Sequence, residues 1–216
     1  MRCHTQEQIL IAGPSGDLEV SLTCTANSNA SIPYGIICHP HSLYGGSMNN
    51  KVVYIIASAF NQLGAGVVRF NFRGVGQSEG QFDQGRGETE DLQAVATWLQ
   101  QHYTPQALWL AGFSFGSYVA LCGQAQLNPA RLLLVAPPVE HFEFEPLSLP
   151  AMPTLIIQGE QDEIVSIAAV TEWIDRQQHQ PQFHRLTQSS HFFHGQLTAL
   201  RRIITNNWSR HNGNSL

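Results

Sequence analysis

Five short, predominantly apolar runs, at 35–38, 66–72, 108–111, 132–136 and 154–157, constrain this chain's fold more than any other feature. A strand with one wet face alternates apolar and polar residues. A strand covered on both faces has no polar side to show and reads as a continuous Val, Ile and Leu segment. Between the runs lie stretches with helical spacing. Residues 50–63 put Val53, Ile56, Ala57 and Phe60 on one face, and 88–101 do the same with Leu92, Val95, Ala96 and Leu99, with acids in the first turn where the helix dipole favours them. Segments 166–176 and 193–208 are two further helix candidates. Such alternation implies an α/β fold, a mostly parallel sheet with helices on both faces. Ahead of the first run, residues 18–24 alternate like a half-exposed antiparallel strand, paired with 8–11 across Gly13-Pro14-Ser15-Gly16.

The run at 108–111 ends in Gly112-Phe113-Ser114-Phe115-Gly116, and a helix-like stretch, 117–126, follows. A G-x-S-x-G between strand and helix is a sharp turn that lifts the serine above the sheet edge in a strained backbone conformation, the glycines letting strand and helix approach. It also leaves the Phe115 N–H at a helix N-terminus, where unpaired donors favour negative charge. A hydroxyl nucleophile beside an anion-stabilising amide is half of an acyl-transfer site.

A serine needs a histidine to take its proton, and the histidine needs a carboxylate to fix its tautomer. With this turn the expected chain order is Ser, acid, His. Asp162 sits in the turn that follows the run at 154–157, ahead of the next helix; Glu160 and Glu140 are the alternatives, and a plain helix cap at Ser166 is the structural one. Of the ten histidines, that order leaves His179, His184, His191, His194 and His211. Residues 182–186 alternate like a strand, which makes His184 an exposed strand residue. His191 is in the loop that leaves it and can reach over the sheet edge, whereas Phe192-Phe193 begin the last helix and carry His194 into it. The second oxyanion donor is expected from His39-Pro40-His41-Ser42, after the first run: the His41 backbone N–H, with Ser42 close behind, since Pro40 has none. His39-Pro40-His41-Ser42, Arg73-Gly74, Ser114 and Glu160-Gln161-Asp162 all fall at the carboxyl ends of the runs, where open parallel sheets bind ligands. A metal set of His39, His41, Asp162 and His191 has no ligand spacing of helical or C-x-x-C type. Gly74-x-Gly76 lacks the third glycine of a dinucleotide loop and reads as a tight turn shaping the pocket floor.

At 216 residues, 43% hydrophobic, the chain is one domain, 1–216, with a polar tail frayed from about 210. A net charge of -5 without a basic cluster excludes a nucleic-acid partner, and no apolar stretch reaches membrane-spanning length. The N-terminus lacks the apolar core of a signal peptide. Four cysteines without a C-x-x-C read as buried thiols and suit a cytoplasmic location. Fifteen residues, 138–152, separate the runs at 132–136 and 154–157. They are too few for a helical lid, and they carry Phe142, Phe144, Leu147 and Leu149 either as an apolar flap or as anchors in the core.

Laid out in this order, His39-Pro40 with Gly45-Gly46-Ser47-Met48, Phe72-Arg73-Gly74-Val75-Gly76-Gln77-Ser78, the serine turn, Gln158-Gly159-Glu160-Gln161-Asp162 and Ser190-His191-Phe192-Phe193-His194-Gly195 resemble the α/β-hydrolases, and most of all the small capless bacterial hydrolases of the dienelactone-hydrolase-like group. The resemblance implies an eight-stranded sheet with antiparallel first strands, no cap domain, and Ser114, Asp162 and His191 as a triad. Dienelactone hydrolases proper use a cysteine nucleophile; here the position is Ser114. The expected activity is cleavage of a small-molecule carboxylic ester or thioester through an acyl-enzyme, with Phe115 and His41 amides holding the oxyanion and no cofactor. The alternatives are a small peptidase or amidase with the same residues, or a non-catalytic ligand-binding member of the fold.

Overall fold

A computed structural model describes residues 4–25 and 32–209. The frayed tail expected from 210, together with Cys3 and His211, lies outside them.

The strands are β1 (His4–Gly13), β2 (Gly16–Thr25), β3 (Tyr34–Cys38), β4 (Gly66–Phe70), β5 (Leu108–Phe113), β6 (Arg131–Val135), β7 (Thr154–Gly159) and β8 (Gln182–Leu186). The helices are α1 (Lys51–Gln62), α2 (Arg86–Tyr103), α3 (Phe115–Leu127), α4 (Ile167–Asp175) and α5 (Leu197–Ser209). All eight strands form one sheet in the order β1-β2-β4-β3-β5-β6-β7-β8. β1 pairs with β2 and β2 with β4 antiparallel; every later pairing is parallel.

The five apolar runs became β3 to β7, and every residue of those strands is buried. Successive side chains go to opposite faces. Ile36, Leu110, Leu132 and Leu134 join one core layer with α2, α3 and α4, while Ile37, Ala111, Leu133 and Val135 join the other with α1 and α5. Two helix starts are set by their caps: the Asn50 side chain accepts the Val52 N–H, and Ser166 accepts those of Ala168 and Ala169. The Glu88 carboxylate accepts the N–H groups of Gly85 and Asp83 at the start of α2.

Boundaries differ from expectation at both ends of the chain: β1 runs His4–Gly13, well beyond the expected 8–11. The last helix begins at Leu197, four residues after Phe193, because Phe193 and Gly195 both take positive φ (55° and 72°) and fold 191–196 into turns. His194 is therefore an exposed turn residue and not a helical one.

The topology prepares one place for a ligand. The chain runs outward from β3 to β4, then returns to β5 on the other side of β3. Strand order reverses there, and the loops after β3 and β5 diverge above a crevice. Cys38 and Gly112 are register partners at its edge, so His39-Pro40-His41 and Ser114 emerge side by side.

Candidate active site

Ser114 follows β5 and precedes α3 with φ 52° and ψ −123°. A side chain at positive φ is strained and persists only where its surroundings hold it. Here they do. The Ser114 N–H donates to the Val135 carbonyl at 2.8 Å, and the Ser114 carbonyl accepts from Ser117 N–H and Oγ at 2.8 and 2.6 Å. A Cβ on Gly112 would lie 2.1 Å from the Gly116 carbonyl oxygen, and one on Gly116 would lie 2.2 Å from that of Cys38. Only glycine lets strand, turn and helix come so close. As first residue of α3, Phe115 has an N–H without an intrahelical acceptor, and it has no other acceptor among the described residues.

The loop after β3 is pinned from below. Buried His39 places Nδ1 2.6 Å from the Pro40 carbonyl and accepts the Phe72 N–H at Nε2, 3.0 Å away. The proton is therefore on Nδ1, and burial holds the imidazole down to a pKa of about 4, against the opposing bond to Pro40. Further on, the Met48 N–H donates to Asn71 Oδ1, and Arg69 Nη1 donates to the Met48 carbonyl, both at 2.9 Å. The His41 carbonyl accepts from Tyr44 and Gly46, while the His41 N–H has no acceptor among the described residues. His41 lines the same cavity as Ser114 and Phe115; Ser42 does not.

On the far side, Asp162 hangs from the turn after β7. Its Oδ1 accepts the N–H groups of Ile164 and Val165 at 2.9 and 2.8 Å, and its Oδ2 accepts Gln158 Nε2 at 2.9 Å. Oδ2 also meets His191 Nδ1 at 2.8 Å, and His191 Nε2 stands 3.0 Å from Ser114 Oγ. The Asp162 and His191 side chains are 0% and 2% exposed, so little water competes for that bond. Burial pushes the Asp162 carboxyl up, but the hydrogen bonds from His191, Val165 and Ile164 outweigh it and hold the group below its ordinary value. The carboxylate is therefore charged at neutral pH. An imidazole held by such a carboxylate, with its other nitrogen on a hydroxyl, can accept that hydroxyl's proton and stabilise the cation formed.

The competing residues have other partners. The Glu140 carboxylate accepts the Ser166 N–H at 2.8 Å, Glu160 is exposed, and half-buried His184 meets Asn207 Oδ1 at 3.2 Å. Both ring nitrogens of His39 are engaged within the protein, and among the described residues no group of three His, Cys, Asp or Glu is placed to hold a metal. The Gly74–Gly76 turn does not form the pocket floor as expected. It folds back on β2, where Glu19 accepts from Asn71 Nδ2 and the Gln77 N–H, and Ser78 Oγ accepts the Glu19 N–H. Phe82, Gln84 and Arg86, just beyond that turn, line the cavity instead.

Two supporting residues lie outside the set expected from sequence. Glu163 Oε2 accepts the His191 N–H at 3.1 Å, orienting the loop through its backbone. His39 supports the loop from beneath; its signal in the sequence is a histidine directly after a buried strand, where both nitrogens need partners. The segment 138–152 does both things considered for it: Phe144 and Leu149 are buried in the core, and Phe142 faces the cavity. The cavity holds about 870 Å³ with Ser114 and His191 in its wall.

Residues 36–131 match a family model described as the alpha/beta hydrolase fold. A Xanthomonas campestris protein described as a member of a/b serine hydrolase without lid superposes with a TM-score of 0.89 at 43% identity, over 95% of this chain and 94% of that one. An alpha-beta serine hydrolase homologue from Coxiella burnetii gives 0.89 at 45% identity, over 96% and 99%. An uncharacterised protein of Rickettsia prowazekii is 39% identical over 176 residues, 78% of this chain and 72% of its own. With the same sheet and no lid between β6 and β7, this chain belongs to the α/β-hydrolase family.

Proposed function

We propose that the protein is a serine hydrolase that cleaves a carboxylic ester or thioester through an acyl-enzyme on Ser114. Ser114 Oγ attacks the acyl carbon while its proton passes to His191 Nε2. Collapse of the tetrahedral intermediate breaks the bond to the leaving alcohol or thiol, which takes the proton from His191. Water then attacks the acyl-enzyme with His191 as base, releasing the acid and restoring the Ser114 hydroxyl. Asp162 holds His191 in the Nδ1-protonated tautomer and balances the imidazolium. The oxyanion is received by the N–H groups of Phe115 and His41, two donors that have no acceptor among the described residues and that follow the adjacent strands β5 and β3.

The observation that carries this reading is the unbroken line from Asp162 through His191 to Ser114, at 2.8 and 3.0 Å, ending beside a helix N-terminal amide that has no acceptor among the described residues. The substrate is a small molecule reached directly from solvent, since Ser114 is partly exposed and the segment 138–152 is anchored into the core. Among the described residues, no helix is long and apolar enough to cross a membrane. Rapid mixing with p-nitrophenyl acetate tests the acyl-enzyme: a burst of about one nitrophenol per protein, followed by slower steady release, is expected where deacylation limits turnover. Ester turnover with unchanged rate in Ser114→Ala would refute the assignment.

A further inference from the structure

We infer that the ester carries a planar aromatic group seated against a wall of rings beside Ser114. The inference rests on the hydrolase reading above and adds the substrate class. The wall is unlike the rest of the protein. Buried apolar positions elsewhere are dominated by Val, Leu and Ile, yet the cavity at Ser114 contains one branched aliphatic side chain, Ile164, and no Val, Leu or Met. Rings take their place. His41, from the loop after β3, stands 4.6 Å from Phe82 and 5.1 Å from Phe115, centroid to centroid. Phe115 lies 5.1 Å from Phe142, which stacks on Tyr118 at 5.0 Å and 23°. Four separate segments deliver these rings to one spot.

The rings continue outward. Tyr44 and Phe192 line the same cavity and are 87% and 40% exposed, so aromatic surface at the mouth is left uncovered by the protein itself. Ring faces and edges carry opposite partial charge, and arrays at these spacings favour another π-system in offset or edge-on contact over an aliphatic group of equal size. His41 fits the array as a neutral ring. Its Nδ1 accepts the Leu43 N–H at 3.2 Å, which puts the proton on Nε2, and burial lowers its pKa. A volume of about 870 Å³ admits a ring and a short linker to the scissile bond.

The test compares esters that differ only in the ring. Methyl 3-phenylpropanoate against methyl 3-cyclohexylpropanoate probes the acyl side, and benzyl acetate against cyclohexylmethyl acetate probes the alcohol side, all by pH-stat. Cyclohexyl buries more apolar area, so burial alone favours it. Ring pairing predicts the reverse, with kcat/KM for the phenyl ester about three- to tenfold higher in at least one arm. Phe142→Leu and Phe82→Leu each keep an apolar surface but remove a ring, and each should bring the phenyl-to-cyclohexyl ratio towards one. Because the ratio is taken within one preparation, loss of folded protein cancels. A cyclohexyl preference in both arms, or a ratio that neither variant moves, overturns the aromatic assignment while leaving the hydrolase standing. Failure to hydrolyse any of the four, with Ser114 inert to a fluorophosphonate, removes both.

Discussion

His39 fixes the loop that presents His41, and its replacement should be costly in a way that pH reveals. His39→Leu deletes the bond to the Pro40 carbonyl and the bond from the Phe72 N–H. Each leaves a buried backbone group unpaired, at about 1–3 kcal/mol, so a loss of about 2–6 kcal/mol is expected at pH 7 before any gain from leucine's apolar surface. The parent carries a second signature. Burial lowers the folded-state pKa of His39 from 6.5 to about 4, so the folded protein favours the neutral ring. Its contribution is fully present above pH 6.5 and is lost as pH falls towards 4, because the unfolded chain binds the proton first. At about 1.4 kcal/mol per pH unit, that loss amounts to about 3 kcal/mol by pH 4. The leucine variant has no such titration. Urea unfolding of both proteins between pH 7 and 4 should therefore show the stability gap narrowing by about 3 kcal/mol, other groups cancelling in the comparison. A gap that stays constant across this range would refute the buried, neutral His39.

Three other outcomes follow from the site. Ser114→Ala and His191→Ala should each lower ester turnover by several orders of magnitude, and the double variant should add little, because the residues act as a unit; His194→Ala, in an exposed turn, should keep most activity, and the opposite pattern in steady-state kinetics would reassign the base. Gly116→Ala should yield little folded protein, since its Cβ would sit 2.2 Å from the Cys38 carbonyl oxygen, where no side chain can yield; a normal melting transition would show that the turn is looser than described. Turnover of p-nitrophenyl esters should peak at short linear acyl chains and show no jump above the micellar concentration, because the segment 138–152 is anchored by Phe144 and Leu149 and no lid needs to open.

Strands β3 to β7 were legible because burial on both faces leaves a composition that little else produces. Ser114 was legible because the close approach of strand and helix requires glycine at 112 and 116. Chain order narrowed the acid and the base, and position in a turn or loop after a strand pointed to Asp162 and His191, which meet within hydrogen-bonding distance of each other and of Ser114. What failed was local. The apolar pair Phe192-Phe193 continues a helical pattern into a segment where Phe193 takes φ 55°, a conformation that no propensity for phenylalanine anticipates. The Gly74–Gly76 turn is tight as expected but lies away from the pocket floor, because Gly76 makes room for Glu19 and Asn71, and sequence does not say what a glycine is avoiding. The ring wall was invisible for a different reason: His41, Phe82, Phe115, Tyr118 and Phe142 come from four segments and are neighbours only in three dimensions.

Covalent labelling tests the central claim most directly. The protein is treated with a fluorophosphonate, its intact mass is measured, and the modified peptide is sequenced. The account predicts stoichiometric addition of one phosphonyl group, located on Ser114, absent in Ser114→Ala and strongly slowed in His191→Ala. Labelling that persists undiminished in Ser114→Ala, or a parent protein that remains unmodified while folded, would contradict it.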